Sequence, residues 1–393
     1  MSNVGKQFPS EMETYTDLKS GRKIRQLTRT GANTHFYFTE NSFIEGDNEI
    51  FFRRKTADNI NSPVNDLFSM DLRTGVITQR TDLGKHFKKA GVSGNKTKDG
   101  KYIIFSGDGD IWRINLETND INLVFKIPEG YVGSGSTLSY DGNYYAMALG
   151  EEPEIGRKLS NQNYDGFVER FYAKKCSKIF VMEADGSNAH EVFRDTHWVG
   201  HFQFAPDSNE YLMFCHEGPW NLVQQRIWMY NLISRDIYPI YRQGKDDCVG
   251  HEFWTRDGLI FYDNRGAGHD GTITSDKTQA TVFGEDAEDA IPLVGFADRK
   301  GNILREMELP YYCNHYHANN DNTLLVADAV NDLILIDISK DKASIDVLCE
   351  HNTSWISHSA HCHPTWSWSN DKILFASDKG NEPGRSNLYL IDM

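Results

Sequence analysis

The sequence has little that would place it in a membrane, in an oxidising compartment or on a nucleic acid. No stretch approaches the run of about 18 apolar residues that a spanning helix needs. The opening residues, Met1-Ser2-Asn3-Val4-Gly5-Lys6-Gln7-Phe8-Pro9, lack the apolar core of a secretory leader. The expected location is the cytoplasm, with no membrane partner. Cysteine is sparse. Cys176, Cys215, Cys248, Cys313, Cys349 and Cys362 include no Cys-x-x-Cys pair and no crowding, so free and mostly buried thiols are expected. Positive charge is short as well: 41 Lys and Arg against 56 Asp and Glu give a net charge of -15, which argues against a general nucleic-acid binder. Any anionic substrate must then be held by local Arg, Lys, His or metal charge. Sustained helical periodicity is also missing.

What is present is a meander. Lys101-Tyr102-Ile103-Ile104-Phe105-Ser106 is apolar and β-prone, Asp110-Ile111-Trp112-Arg113-Ile114-Asn115-Leu116 alternates, and Ile121-Asn122-Leu123-Val124-Phe125 follows a Glu-Thr-Asn-Asp turn. Alternation punctuated by Gly, Asn and Asp predicts antiparallel strands. The pattern recurs seven times, with units starting near His35, Lys101, Ser136, His201, His251, His315 and His361. Length alone would allow two or three domains, but a repeat of this kind makes residues 1–393 one all-β domain, a seven-bladed β-propeller. A six- or eight-bladed ring is the alternative. The seventh unit stops after its third strand. The segment Leu18–Thr28 resembles the missing fourth, so the N-terminal strand is expected to close the last blade.

Histidine is placed unevenly. Three fall in Ser354-Trp355-Ile356-Ser357-His358-Ser359-Ala360-His361-Cys362-His363-Pro364. If His361-Cys362-His363 is a strand, side chains i and i+2 leave the same face, so both imidazoles can share a metal, with His358 as a further ligand. Five of the seven first strands begin at or beside histidine: His35, His201, His251, His315 and His361/His363. In a propeller these converge on one mouth of the central channel. The long loops Arg53–Asn65, Gly150–Lys175, His216–Gln225, Asn264–Gln279 and Asp378–Asn387 are expected at that same mouth. A purely structural role, bonding blade to blade, is the competing reading for each histidine. His201 and His216 are candidate substrate contacts, His35 a weaker one, and Glu217 a residue that orients a histidine. Trp198, Trp220 and Trp254 suit core packing better than sugar stacking.

Several blocks resemble the oligogalacturonate lyases, propeller lyases that act on short pectin fragments. These are Gly5-Lys6-Gln7 with Tyr15-Thr16-Asp17, Trp198-Val199-Gly200-His201, Phe214-Cys215-His216-Glu217-Gly218-Pro219, Arg226-Ile227-Trp228, His251-Glu252-Phe253-Trp254, Cys313-Asn314-His315, and His351-Asn352-Thr353-Ser354-Trp355 followed by His361-Cys362-His363-Pro364. The resemblance spans nearly the whole chain. It implies β-elimination on di- or trigalacturonate-type anions, giving 4-deoxy-5-keto-uronate. It also implies a divalent metal, usually taken as Mn²⁺, on His315, His361 and His363. The family's fourth ligand, a glutamine, has no counterpart here, and His358 is nearest. The family's base maps onto His251 and its active-site arginine onto Arg226. A lyase on another uronate-containing oligosaccharide, a non-catalytic interaction propeller and a propeller lactonase or hydrolase remain as alternatives. The hydrolase would be expected to present carboxylates where this chain presents imidazoles.

Overall fold

Short apolar strands separated by Asp-Gly, Asn and Thr-Gly turns fold back on one another in sequence. The computed structural model describes residues 2–151, 167–174, 176–219, 222–245, 247–265 and 291–393. Within these residues the strands form seven antiparallel sheets, the first two joined into one nine-stranded sheet by a parallel pairing. The first contains Ala32–His35, Glu49–Lys55, Val64–Asp71 and Ile77–Gln79, with Gln7–Phe8 on its outer edge. The second contains Ala90–Lys96, Tyr102–Gly107, Asp110–Asn115 and Ile121–Phe125, and its inner strand pairs in parallel with the first sheet at Val64–Ala90 and Asn65–Gly91. The third to sixth sheets begin at Tyr131–Leu138, Val199–Ala205, Val249–Trp254 and Tyr316–Ala318. The seventh is Thr365–Trp366, Lys372–Ser377 and Asn387–Asp392, completed by Lys23–Gln26 and then Glu13–Thr16.

The seven apolar clusters each draw on two neighbouring sheets. Phe202 and Phe214 of the fourth sheet meet Ala146 and Ile179 of the third, for example. Phe52 and Phe68 of the first sheet meet Leu374 and Leu388 of the seventh, so the series returns to its start. This is a propeller-like arrangement. Both faces of each sheet are covered, which is why Val249–Trp254 and Ile260–Asn264 are buried at every residue rather than at every second one. At roughly 1.5–3 kcal/mol per fully buried large apolar side chain, these interfaces dominate the stability.

The closing strand is held by Arg25–Leu390 and Gln26–Tyr389 pairing and by Thr28 Oγ1 bonded to Asn387 Oδ1 at 3.2 Å. The expected fourth strand is thus supplied by the N-terminal segment, and a fifth lies outside it. Two details differ from the sequence reading. The second unit begins earlier than Lys101, at Ala90–Lys96, whose two glycines hide a strand from propensity. In the first unit the inner strand ends at His35, and Phe38–Glu40 turns into a 3-10 helix that enters the channel. A short helix, Phe167–Ala173, lies in the connection between the second and third strands of the third sheet. Residues 152–166 and 266–290 of the long connections, and Trp220, lie outside the described residues.

Candidate metal centre and active site

The inner strands start beside the ends of the second strands, as the register shows for Val199 with His216 and Val249 with Asn264. That end of the channel collects the histidines. Two of them sit on bulges. The ladder slips between Gly200 and Gln203 and between Gly250 and Phe253, and both His201 and His251 take a positive φ of 49°. A left-handed residue in a bulge turns its side chain out of the pleat. His363 is also left-handed, at φ 45°. The segment His361–His363 precedes the strand Thr365–Trp366 rather than forming part of it. The two rings converge as expected, 5.5 Å apart, but by extended coil and a left-handed residue rather than by strand alternation.

Nitrogens of His315, His361 and His363 lie within 4.8 Å of one another, and all three residues are buried. Three ligands at about 2.0–2.1 Å from one ion stand roughly 3 Å apart, so this set closes on a divalent ion with small side-chain shifts. His315 Nδ1 is 2.9 Å from Asp328 Oδ2, which would make Nε2 the ligating nitrogen. That is the carboxylate–histidine support usual behind metal ligands. The residues therefore fit a divalent metal. His358 opens the 3-10 helix His358–Ala360, and its side chain lies outside the described residues.

His251 stands against this group, its ring 4.8 Å from that of His315. Its Nδ1 is 3.3 Å from Asp263 Oδ1 and 3.4 Å from the Tyr312 hydroxyl. Burial, reinforced by the neighbouring His315, Arg265 and Arg226, holds the imidazole in its neutral form. Burial also raises the Asp263 carboxyl to about 7.

Arg226 is expected to clamp a substrate carboxylate, but the structure gives that fork to the protein. Its side chain is 2% exposed, with Nε 2.7 Å from Glu252 Oε2 and Nη1 3.5 Å from Glu217 Oε1. The same two acids hold His201, Nε2 to Glu217 and Nδ1 to Glu252, each at 3.2 Å. Burial pulls the His201 pKa down, but the two carboxylates outweigh it and raise it to about 9. Burial opposes ionisation of Glu252 too, yet Arg226 and His201 bring its carboxyl down to about 2. At neutral pH the four groups form a balanced cluster of two cations and two anions.

The other candidates stand outside the trio, although His35 lies against it, its ring 6.4 Å from that of His363. His216 bonds Asp195 Oδ2 at 2.9 Å and stacks on His197 at 4.1 Å, in a separate cluster. His35 is buried, its Nε2 3.0 Å from the Cys362 carbonyl, and burial depresses its pKa to about 4. Trp254 donates its indole N–H to the Gln203 carbonyl and packs in the core.

Sequence reading missed Tyr37. Its ring lies 4.9 Å from His363, 6.0 Å from His315 and 5.9 Å from His201, which makes it the floor of the mouth. It also missed the acids Asp263 and Asp328. A shared signal marks them: in three sheets a carboxylate at the exit of the second strand supports the histidine of the first, as Glu217 supports His201, Asp263 supports His251 and Asp328 supports His315.

Comparison with known proteins covers the chain end to end. The family model for oligogalacturonate lyase matches residues 2–393. The oligogalacturonide lyase of Pectobacterium atrosepticum is 23% identical over 98% of this chain and 97% of its own length. A solved oligogalacturonate lyase in complex with manganese superposes with a TM-score of 0.80 at 22% identity, covering 100% of this chain and 98% of that one. The Vibrio parahaemolyticus oligogalacturonate lyase superposes at 0.79 with 20% identity over 99% and 98%.

Proposed function

Because the chain belongs to the oligogalacturonate lyase family, we propose that it cleaves di- and trigalacturonides by metal-dependent β-elimination, releasing 4-deoxy-5-keto-uronate. The observation that carries this reading is the convergence of His315, His361 and His363 with the neutral His251 beside them. The proposal includes a single seven-bladed propeller domain over residues 1–393, closed by the N-terminal strand, working in the cytoplasm.

His315, His361 and His363, with His358 as a further ligand, would hold a divalent ion, manganese as in the solved relative, which would supply Lewis-acid stabilisation of the charge that builds beside the substrate carboxylate. The remaining work belongs to side chains. His251 Nε2 takes the C5 proton, and Asp263 on Nδ1 orients the ring and stabilises the imidazolium that forms. The electron pair left on C5 becomes the C4–C5 double bond as the C4–O bond breaks. We assign Tyr37 as the donor that protonates the departing oxygen. His201 is cationic at neutral pH and its side chain is 30% exposed. It suits a substrate carboxylate, and Arg226 acts as a positioning residue behind it through Glu217 and Glu252.

The test is incubation with digalacturonate and trigalacturonate, with Mn²⁺ or with chelator, read by mass spectrometry. Elimination gives products whose masses sum to that of the substrate, and only with metal. Products heavier in sum by one water mean hydrolysis and overturn the mechanism. Absence of reaction on both substrates overturns the assignment of galacturonides.

A further inference from the structure

The channel has a second mouth. The inner strands run from the histidine end to an opposite end, where Lys96, Leu138, Trp254 and Ala318 stand at or next to their last residues. A cavity of about 90 Å³ opens there, lined from all seven sheets. At roughly 10–15 Å³ of such space per water and about 30 Å³ of liquid per water, it holds the equivalent of roughly 200 Å³, the size of one monosaccharide.

Its chemistry is one-sided. Among the described residues the lining carries three cations, Lys96, Lys98 and Arg256, and one carboxylate, Glu40. This is a local reversal in a chain of net charge -15. Lys96 is 9% exposed and gives one N–H to the Phe43 carbonyl at 3.1 Å. Burial lowers its pKa to about 8 despite Glu40, so a nearby anion would restore charge compensation. Glu40 is itself engaged by the Gly94 N–H at 2.9 Å, and burial raises its carboxyl. His317 Nδ1 accepts the Trp366 N–H at 2.9 Å, which puts the ring proton on Nε2, a donor on a ring that lines the cavity. The walls are aromatic: Lys98 Nζ and the Arg256 guanidinium lie 4.9 and 4.7 Å over Trp368, with Tyr140 and Trp254 beside them. Lys98 also reaches Glu45 at 3.6 Å, and Arg256 gives N–H groups to the Trp368 and Ser367 carbonyls. Buried donors, a local excess of cations in the lining and flat apolar faces together suit a small hydroxylated carboxylate.

We propose that this mouth is a second ligand site, taking one uronate monosaccharide. The choice of a uronate as probe rests on the proposed substrate class; the site itself rests on the cavity. The segment Tyr37–Glu40 joins the two mouths, with Tyr37 against the histidines and Phe38 and Glu40 in the cavity lining, so an occupant bears on the floor of the histidine site.

Isothermal titration of galacturonate tests this on the full-length chain and on the double variant His361→Ala/His363→Ala. The expected result is one equivalent bound by the double variant. Lys96→Met and Lys98→Glu should each weaken it at least tenfold, and galactose, which lacks the carboxylate, should bind at least tenfold more weakly. Lys98 is on the rim and its replacement does not threaten folding, so an effect of Lys98→Glu is decisive even where Lys96→Met misfolds. The proposal is overturned by galacturonate binding that disappears with the two histidines and ignores Lys98→Glu. It is equally overturned by the absence of binding up to about 10 mM, weaker than any useful affinity for a small ligand. Failure of oligogalacturonide turnover would not move either result.

Discussion

Replacing Glu252 by glutamine should destabilise the protein far more than the loss of a surface charge would. The side chain is fully buried and sits between Arg226 and His201. Glutamine keeps the volume and removes the charge, so two cations then face Glu217 alone. Removing one partner of a buried ion pair costs roughly 3–5 kcal/mol, because the other charge stays buried without compensation. With an unfolding entropy of about 2.1 cal/mol/K per residue over 393 residues, that is a fall in Tm of about 4–6 °C.

The sign with pH is a sharper test. The folded pKa of His201 is raised to about 9 from 6.5, so its contribution is complete below about 6.5 and is lost as pH rises through 9. The shift corresponds to roughly 3 kcal/mol at 1.36 kcal/mol per unit, and partial exposure reduces it to about 2. Above pH 9 the wild-type cluster carries Arg226 against two acids, and losing Glu252 leaves one balanced pair. The Tm gap between wild type and Glu252→Gln should therefore be widest near pH 7 and narrow by pH 10, measured by scanning calorimetry. A gap below 1 °C at pH 7, or one that grows towards pH 10, refutes the reading of the cluster as a charge-balanced unit.

The remaining expectations concern the site and the ring. Ala at His251 should abolish turnover and leave bound metal intact by elemental analysis, whereas His361→Ala should lose both. Asp263→Asn should lower kcat with little change in KM and leave metal content unchanged, because it disturbs the orientation of the base rather than substrate binding. Tyr37→Phe should lower kcat by about 10²-fold or more without loss of metal; an unchanged kcat removes Tyr37 from proton transfer. Gly186→Ala should destabilise the contact between the second and third sheets by more than about 1 kcal/mol in urea unfolding, because at φ +92° its Cβ would lie 2.1 Å from the Val124 carbonyl oxygen.

The fold was legible because its signals are local. Alternation and turns revealed seven units, and the missing fourth strand of the seventh unit pointed to the N-terminus, where Lys23–Gln26 does pair with Asn387–Asp392. What propensity could not show was Ala90–Lys96, a strand whose Gly94 makes room for the Glu40 side chain rather than adding β-preference. That His315, His361 and His363 converge was legible from imidazole chemistry and family resemblance, although the backbone route by which they do so was not. Backbone handedness at His201 and His251 depends on bulges in the ladder, and at His363 on the coil before its strand; histidine enters the left-handed region more readily than most residues, but that preference is too weak to single out these three in a sequence. Tyr37 was hidden for a related reason. It sits where the inner strand breaks off into a helical turn, and His35-Phe36-Tyr37-Phe38 reads as strand until the channel is known to need a floor. That Arg226 is engaged by Glu217 and Glu252 was hidden because those acids lie 9 and 26 residues away in the chain.

The strand that completes the seventh sheet also sets a clock. Thr28 and Asn387 bond across 359 residues, so on a ribosome delivering about 5–20 residues per second the two partners are synthesised roughly 20 to 70 s apart. Throughout that interval the first sheets can form, but the flank of the first sheet that meets the seventh stays bare, and the N-terminal segment has nothing to pair with. The strand Asn387–Asp392 is the one that ends this exposure. A truncated or stalled chain would therefore present both an unpaired strand and an uncovered apolar flank, and quality control acting on this protein should recognise incompleteness at its N-terminus rather than at the point of interruption.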